Sequence, residues 1–459
     1  MRFRFRLICW SLLLSAVIYA QNSKPYTDIA QKIIRTALQQ RNAYTMLHRL
    51  TKEVGPRLSG SPHAAAAVEW ARQTMEQLGL QNIQLQKVMV PHWVRGNVEE
   101  ASIINSSIVG TVPLTVCALG GSVGTPELGV VGEVIEVHNF DEVQSLGETA
   151  RGKIIFYNRP LDPTLMNTFQ AYGGAVEQRT RGAIEAAKVG AVAVLVRSMT
   201  TRLDDVPHTG AMRYAKDVAK IPAAAISTED ANFLSQLLKR EKNVQVRLTL
   251  SCKTLPEVPS ANVIGEIPGS EKPDEVILLG AHLDSWDKGE GAHDDGAGCV
   301  QVLEALRLIK ELDLHPKRTI RVVLFMNEEN GLRGAQKYAE MVKQNGPKHI
   351  VAIESDRGGF APRGFSIRAK GKDFERLARW SYLFESMDAS KFTPGFGGAD
   401  ISRLAPTGTI NIGLMVDSHR YFDYHHSDND TFDKVNEREL ELGAAAMAIL
   451  SYVLAMEGI

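Results

Sequence analysis

Histidine and carboxylate residues collect at the ends of apolar runs between positions 275 and 356. Glu275-Val-Ile-Leu-Leu-Gly280 leads into Ala281-His282-Leu283-Asp284, and Gly291-Ala-His-Asp294-Asp295-Gly296 follows in a glycine-rich stretch. A second run, Thr319 to Met326, stops at Asn327-Glu328-Glu329, and a third, His349 to Ile353, stops at Glu354-Ser-Asp356. Imidazole and carboxylate are the ligands that borderline divalent ions such as zinc accept. Two such ions about 3.5 to 4 Å apart need a carboxylate that bridges them, and Asp294 is the candidate bridge. The chemistry on offer is attack of an activated water on a carbonyl, with a nearby carboxylate taking the proton.

Those residues must be held by strands and by the turns that leave them. The apolar runs have strand length, and after Asp294 the residues Val300, Leu303, Leu306 and Ile309 recur at helical spacing. Asp294 is therefore predicted in a strand-to-helix turn, outside the carboxyl end of a strand, where open α/β sheets place their ligands. Adjacent glutamates leaving a strand point in different directions, so one can ligate while the other faces substrate. A lone Glu-Glu pair is ordinarily two solvated acids; its coincidence with further ligand candidates at strand ends favours a site. Asp284, two residues after His282, is expected to hold that imidazole through its other nitrogen, the alternative being a loop carboxylate that caps backbone amides. For Asp287, His293, Asp295 and Asp428 the expectation is a loop or surface role.

The motifs His-x-Asp, Gly-Ala-x-Asp-Asp-Gly, Asn-Glu-Glu-x-Gly-Leu-x-Gly, Glu-Ser-Asp and the late His425-His426-Ser-Asp-Asn-Asp430-Thr431 together resemble the co-catalytic zinc exopeptidases. Within these the likeness is to the carboxypeptidase Q family, and it extends to Gly55-Pro-Arg-Leu-Ser-Gly-Ser61 and a long insertion between 120 and 250. The resemblance implies an α/β fold, a three-layer phosphorylase/hydrolase-like mixed sheet with helices on both faces, plus an inserted protease-associated domain. It implies two Zn2+ per chain, with His282 and Asp356 on one, Glu329 and His426 on the other, Asp294 bridging, and Glu328 as general base. His426 is preferred to His425 because in the family the ligand stands four residues before the acid of an Asp-Thr pair, here Asp430-Thr431. Many relatives carry a tyrosine just before that ligand. This chain has His425 there, so Tyr421, Tyr424 and His425 all stand as oxyanion donors, the alternative being that the aromatics pack the loop. Asp400 is a candidate for a substrate ammonium, and Arg357, Arg403 or Arg420 for a carboxylate.

The function the resemblance implies is hydrolysis of short unblocked peptides, dipeptides foremost. An aminopeptidase acting on longer peptides is the runner-up. A non-catalytic binding protein of the same fold and a glutaminyl-cyclase-like acyltransferase using one zinc are the rivals from other classes. A homodimer is expected by resemblance alone.

Length bounds the rest: 459 residues make two or three domains at roughly 150 residues each. With 52 basic against 53 acidic residues the chain offers no basic surface for phosphates, so nucleic acid is not an expected partner. Residues 1–20 carry Arg2, Arg4 and Arg6 before an apolar run ending at Ala20, which reads as a secretory signal, the alternative being an uncleaved anchor. A secreted or periplasmic protein without stable membrane insertion after signal cleavage follows, since no other apolar run is expected to span a bilayer. Residues 21–117 then form the N-terminal part of the peptidase domain, 118–253 the insertion, and 254–459 the catalytic domain. Cys117 and Cys252 flank the insertion as candidates to pair, while Cys299 is expected as a small buried packing residue.

Overall fold

The structure, a computed structural model, describes residues 24–459, so the expected signal segment lies outside the described residues. Alternation along Lys272–His282 sets the layering of the larger unit. Ile277, Leu279 and Ala281 point into one hydrophobic cluster and Val276 and Leu278 into another, so both faces of the strand are buried. A strand with two apolar faces needs cover on both. One cover is built from helices Thr27–Gln40, Asn42–Arg49, Ala297–Glu311 and Glu437–Glu457, the other chiefly from helix Arg333–Asn345.

The sheet has eight strands in the order 81–94, 253–267, 318–325, 272–282, 348–354, 410–416, 362–367 and 391–394. The four central strands, 318–325 through 410–416, are parallel, and antiparallel neighbours flank them. Parallel strands end at one edge. His282 lies in register with Phe325, and Gly280 with Glu354, so the loops after these strands open side by side. Helix Pro62–Gln77 starts as its sequence dictates, with Ser61 accepting the Ala64 amide at 3.1 Å and Pro62 in the first turn. Helix Glu437–Glu457 is long and apolar enough to cross a membrane, contrary to the expectation that no run beyond the leader is; 89% of its most apolar window is buried in the core instead.

A second eight-stranded sheet runs 110–114, 99–106, 245–250, 130–137, 154–157, 193–197, 223–226 and 116–118. It begins earlier than the expected boundary at 118, because strand Glu99–Ser106 pairs with Gln245–Leu250 rather than with the catalytic sheet. Cys117 and Cys252, the candidates to pair, do not: both thiols are free and buried, and Cys252 Sγ donates to the Ser122 carbonyl at 3.3 Å. Cys299 is a buried free thiol that donates to the His282 carbonyl at 3.0 Å. Trp286, in the loop after His282, clamps the two units together. Its indole lies where any side chain at Gly120 would stand, with a Cβ there only 1.8 Å from the ring.

Candidate metal centre and active-site cleft

His282 is the last residue of its strand, and its ring is fixed from behind. Nδ1 lies 2.9 Å from the Asp284 carbonyl, which places the proton on Nδ1 and turns the Nε2 lone pair outward. The Asp284 carboxylate stands 3.9 Å away and is otherwise engaged: its Oδ1 accepts the amides of Asn327 at 2.7 Å and Glu328 at 3.0 Å. The expectation that the Asp284 side chain orients the imidazole is therefore corrected. The backbone of Asp284 does so, because its carboxylate is drawn to two unpaired amides where the next strand ends.

Asp294 lies between two histidines. Its Oδ1 is 3.2 Å from His282 Nε2 and its Oδ2 is 3.2 Å from His426 Nε2. Asp356 Oδ1 closes one side at 3.5 Å from His282 Nε2, and Glu329 Oε2 closes the other at 3.0 Å from His426 Nε2. Two ligands of one tetrahedral zinc, each at about 2.0 to 2.2 Å, stand about 3.3 Å apart, so these pairs have the spacing of shared ligation. Asp294 Oδ2 and Glu329 Oε1 are buried and accept no hydrogen bond from the described residues. Buried carboxylate oxygens left unpaired are costly, and a cation satisfies them. The donor set therefore fits divalent metal, and among the described residues Asp294 is the carboxylate that faces both His282 and His426.

The electrostatics agree. Burial pushes Glu329 up to about 7, with Asp294 adding to it. Burial, followed by repulsion from Asp356, Asp400 and Glu329, holds Glu328 well above the usual carboxylate range. Such a crowd of acids needs positive charge in its midst. Glu328 itself is half-buried and lines the cleft beside Glu329 and Asp356.

Surrounding contacts hold the ligand loops, and several were not foreseen. Asp430 accepts the amides of His293 at 2.7 Å and Asp294 at 3.1 Å, and Asp295 accepts those of His282 at 3.1 Å and Gly298 at 3.0 Å. Asp295 and His293 lie in the strand-to-helix connection but are fully buried, which corrects a surface role; His293 stacks on Phe360 at 4.3 Å between ring centres. Asp287 pairs with Arg95 and Asp428 with Lys288. Arg57, wholly buried, donates to the carbonyls of Leu283, Gly55, Glu290 and Gly291 and so ties the loop between His282 and Asp294. The Gly-Pro-Arg segment carried a resemblance in the sequence but no signal of this role. His426 adopts φ +62°, and the carbonyls of His425 and His426 are held by His208 Nδ1 at 2.7 Å and the Thr209 amide at 2.9 Å. The second unit thus holds the His426 backbone in the left-handed region, which few residues other than glycine occupy.

The centre lies at the floor of a cleft of about 640 Å³ between the two units. Tyr421 and His425 line it, and His425 stacks on His426 with its Nε2 3.6 Å from Asp294 Oδ2. Tyr424 does not line it: its ring packs against His293 at 5.2 Å, which removes it as an oxyanion donor. Asp400 is also set back. It is 1% exposed with both carboxylate oxygens unpaired and does not line the cleft. Of the three expected arginines, Arg403 lines the cleft, whereas Arg357 lies over Phe169 and Arg420 over Phe360. Arg179 and Tyr172 of the second unit line it unforeseen.

Residues 262–452 match Peptidase family M28. Carboxypeptidase Q of Mus musculus is 39% identical over 433 residues, 94% of this chain and 90% of the mouse protein. The crystal structure of a Peptidase M28 precursor from Shewanella amazonensis superposes with a TM-score of 0.90 at 37% identity, covering 94% of this chain and 97% of that one. A zinc aminopeptidase from Bacillus subtilis shares the fold at a TM-score of 0.66 and 20% identity, over 91% of this chain and 95% of that one.

Proposed function

Because this chain belongs to peptidase family M28, alongside the carboxypeptidase Q proteins, and is a zinc metallo-exopeptidase, we propose that it hydrolyses short unblocked peptides, dipeptides foremost, at a two-zinc centre. The observation that carries the reading is the Asp294 carboxylate, one oxygen toward His282 and the other toward His426, each at 3.2 Å. His282 and Asp356 would hold one zinc, Glu329 and His426 the other, and Asp294 both. When bound, the pair of ions acidifies water and polarises the scissile carbonyl.

The chain's own residues do the rest. Glu328, kept at the cleft surface by the hydrogen bond from its amide to Asp284, takes the proton of the attacking water and passes it to the leaving amine. Tyr421 and His425, at the cleft wall, are the candidates to donate to the oxyanion. The second sheet, which we assign as an inserted protease-associated domain, supplies one wall of the cleft and excludes long chains from it. Secretion through the leader at residues 1–20 and a homodimer complete the proposal; sedimentation that gives a monomer removes the dimer.

The test is release of free amino acids by the zinc-loaded mature protein from an unblocked dipeptide, its N-acetylated form and a longer peptide, with Glu328→Gln as control. Cleavage of the free dipeptide alone supports the reading. Faster removal of the first residue from the longer peptide makes the enzyme a general aminopeptidase, and absence of turnover with zinc bound refutes both.

A further inference from the structure

Arg95 stands where the chain leaves the catalytic sheet for the second unit. Strand Gln81–Val94 belongs to the first and strand Glu99–Ser106 to the second, and the return crossing lies at residues 251–252. The two crossings touch. The Val98 amide donates to Ser251 Oγ at 2.9 Å and the Ser251 amide to the Val98 carbonyl at 3.0 Å, while a Cβ at Gly96, whose φ is +79°, would fall 2.2 Å from Ser251 Oγ. A junction this narrow fixes the backbone beside Arg95.

The Arg95 side chain is 10% exposed, and every one of its guanidinium donors is taken. Nε and Nη2 fork onto Asp287 at 2.8 and 2.5 Å, Nη1 donates to Glu99 at 2.9 Å and to the Ala118 carbonyl at 2.7 Å, and Nη2 also donates to Thr209 Oγ1 at 3.3 Å. Two of these partners lead to metal-ligand candidates. Asp287 lies in the loop that joins His282 to Asp294, and the Thr209 amide holds the His426 carbonyl at 2.9 Å. The Thr209 hydroxyl donates in turn to the Ala118 carbonyl at 2.8 Å, so Arg95 and Thr209 share one anchor on the second unit. A second tie between the two ligand loops, Lys288 to Asp428 at 2.7 Å, has its acid 55% exposed and contributes less. We propose that Arg95 is a positioning residue for the metal centre: through Asp287 and Thr209 it sets the His282–Asp294 loop and the His426 backbone at one spacing, so that the ligands come together only with the second unit seated on the sheet edge. A ligand constellation tolerates displacements of only about 0.5 Å, and a planar fork held at both edges supplies that precision where a point charge does not. This rests on the zinc reading of the site and not on the choice of substrate.

The test reads zinc affinity rather than turnover. Zinc-free mature protein carrying Arg95→Gln, Arg95→Lys, Asp287→Asn, or Arg95→Gln together with Asp287→Asn is titrated with zinc against a chelating competitor, and thermal unfolding of each is recorded with and without metal. Arg95→Gln is expected to weaken zinc binding by roughly 10- to 100-fold, the range for residues that support ligands. Arg95→Lys recovers part of the loss, since it keeps the charge but not the fork. The double variant binds no more weakly than Arg95→Gln alone, because both substitutions cut the same link. Unchanged zinc affinity in Arg95→Gln overturns the proposal, as does a loss that multiplies in the double variant. A lower unfolding temperature of the zinc-free protein with metal affinity intact overturns it too, that being the mark of a merely structural residue. Should Arg95→Gln not fold, unchanged affinity in both Arg95→Lys and Asp287→Asn overturns it instead. Turnover of alanyl-alanine by the wild type is read in parallel: tight zinc without turnover refutes the dipeptidase reading and leaves the role of Arg95 to the zinc titration.

Discussion

The amide of Glu328 donates to the carboxylate of Asp284 at 3.0 Å, and the amide of Asn327 to the same oxygen at 2.7 Å. Through these bonds the loop after His282 sets the position of the loop that carries Glu328 and Glu329. Asn327 adopts φ +74° between them, so without Asp284 this backbone has little to hold it. Asp284→Ala is expected to lower kcat/KM by roughly 10- to 100-fold, the usual cost of losing a residue that supports ligands. Asp284→Asn, which keeps one acceptor oxygen, loses less. Steady-state kinetics with zinc content measured in parallel checks both.

Glu328→Gln keeps the side-chain volume and every ligand but cannot take a proton. The expected result is full zinc content with kcat down by roughly 10²- to 10⁴-fold. Retained turnover would remove Glu328 from its role.

Asp294→Asn replaces the only carboxylate among the described residues that faces both His282 and His426. Zinc per chain, read by elemental analysis after dialysis, is expected to fall below that of the wild type. Unchanged content would rule out the bridge.

Arg57 bonds to four carbonyls from inside the core. A lysine ammonium is a point donor and cannot span them. Arg57→Lys is expected to destabilise the fold by about 2 to 4 kcal/mol, as buried carbonyls lose their partners. Denaturant unfolding of the two proteins measures the difference.

Glu441 lies in the core helix, accepting the Tyr44 amide at 3.0 Å on one oxygen while the other is buried and unpaired. Burial, with Glu304 nearby, pushes its carboxyl from 4.5 up to about 8. The folded state therefore prefers the protonated form. Its contribution is whole below the unfolded value and is lost as pH rises through the folded one. Glu441→Gln is expected to narrow the drop in Tm between pH 5 and pH 8.5, and an unaltered drop would place the proton elsewhere.

How much of this was legible beforehand differs by residue. Apolar runs ending in histidine and acid placed the strands and the edge where they stop, because two-residue and 3.6-residue periodicities are local properties of the chain. They also brought His282, Asp294, Glu329 and Asp356 into consideration, while His426 came from the family resemblance, and the structure gathers all five. The second sheet was misjudged at its start, since nothing in residues 99–114 reveals that they pair with 245–250 across more than a hundred residues.

By itself, then, the sequence determined the α/β order of elements, the strand-end ligand candidates and the near balance of charge, all of which depend on residue type and near spacing. Only the tertiary structure decided which oxygen of Asp284 meets which partner, that Tyr424 packs on His293 and Asp400 is buried, and that Arg179 lines the cleft. In the sequence Arg179 stands in the polar stretch Glu177-Gln-Arg-Thr-Arg181. Packing of the second unit over the sheet edge buries it beside His426, and burial without a counter-ion is a property of the assembled fold rather than of neighbouring residues.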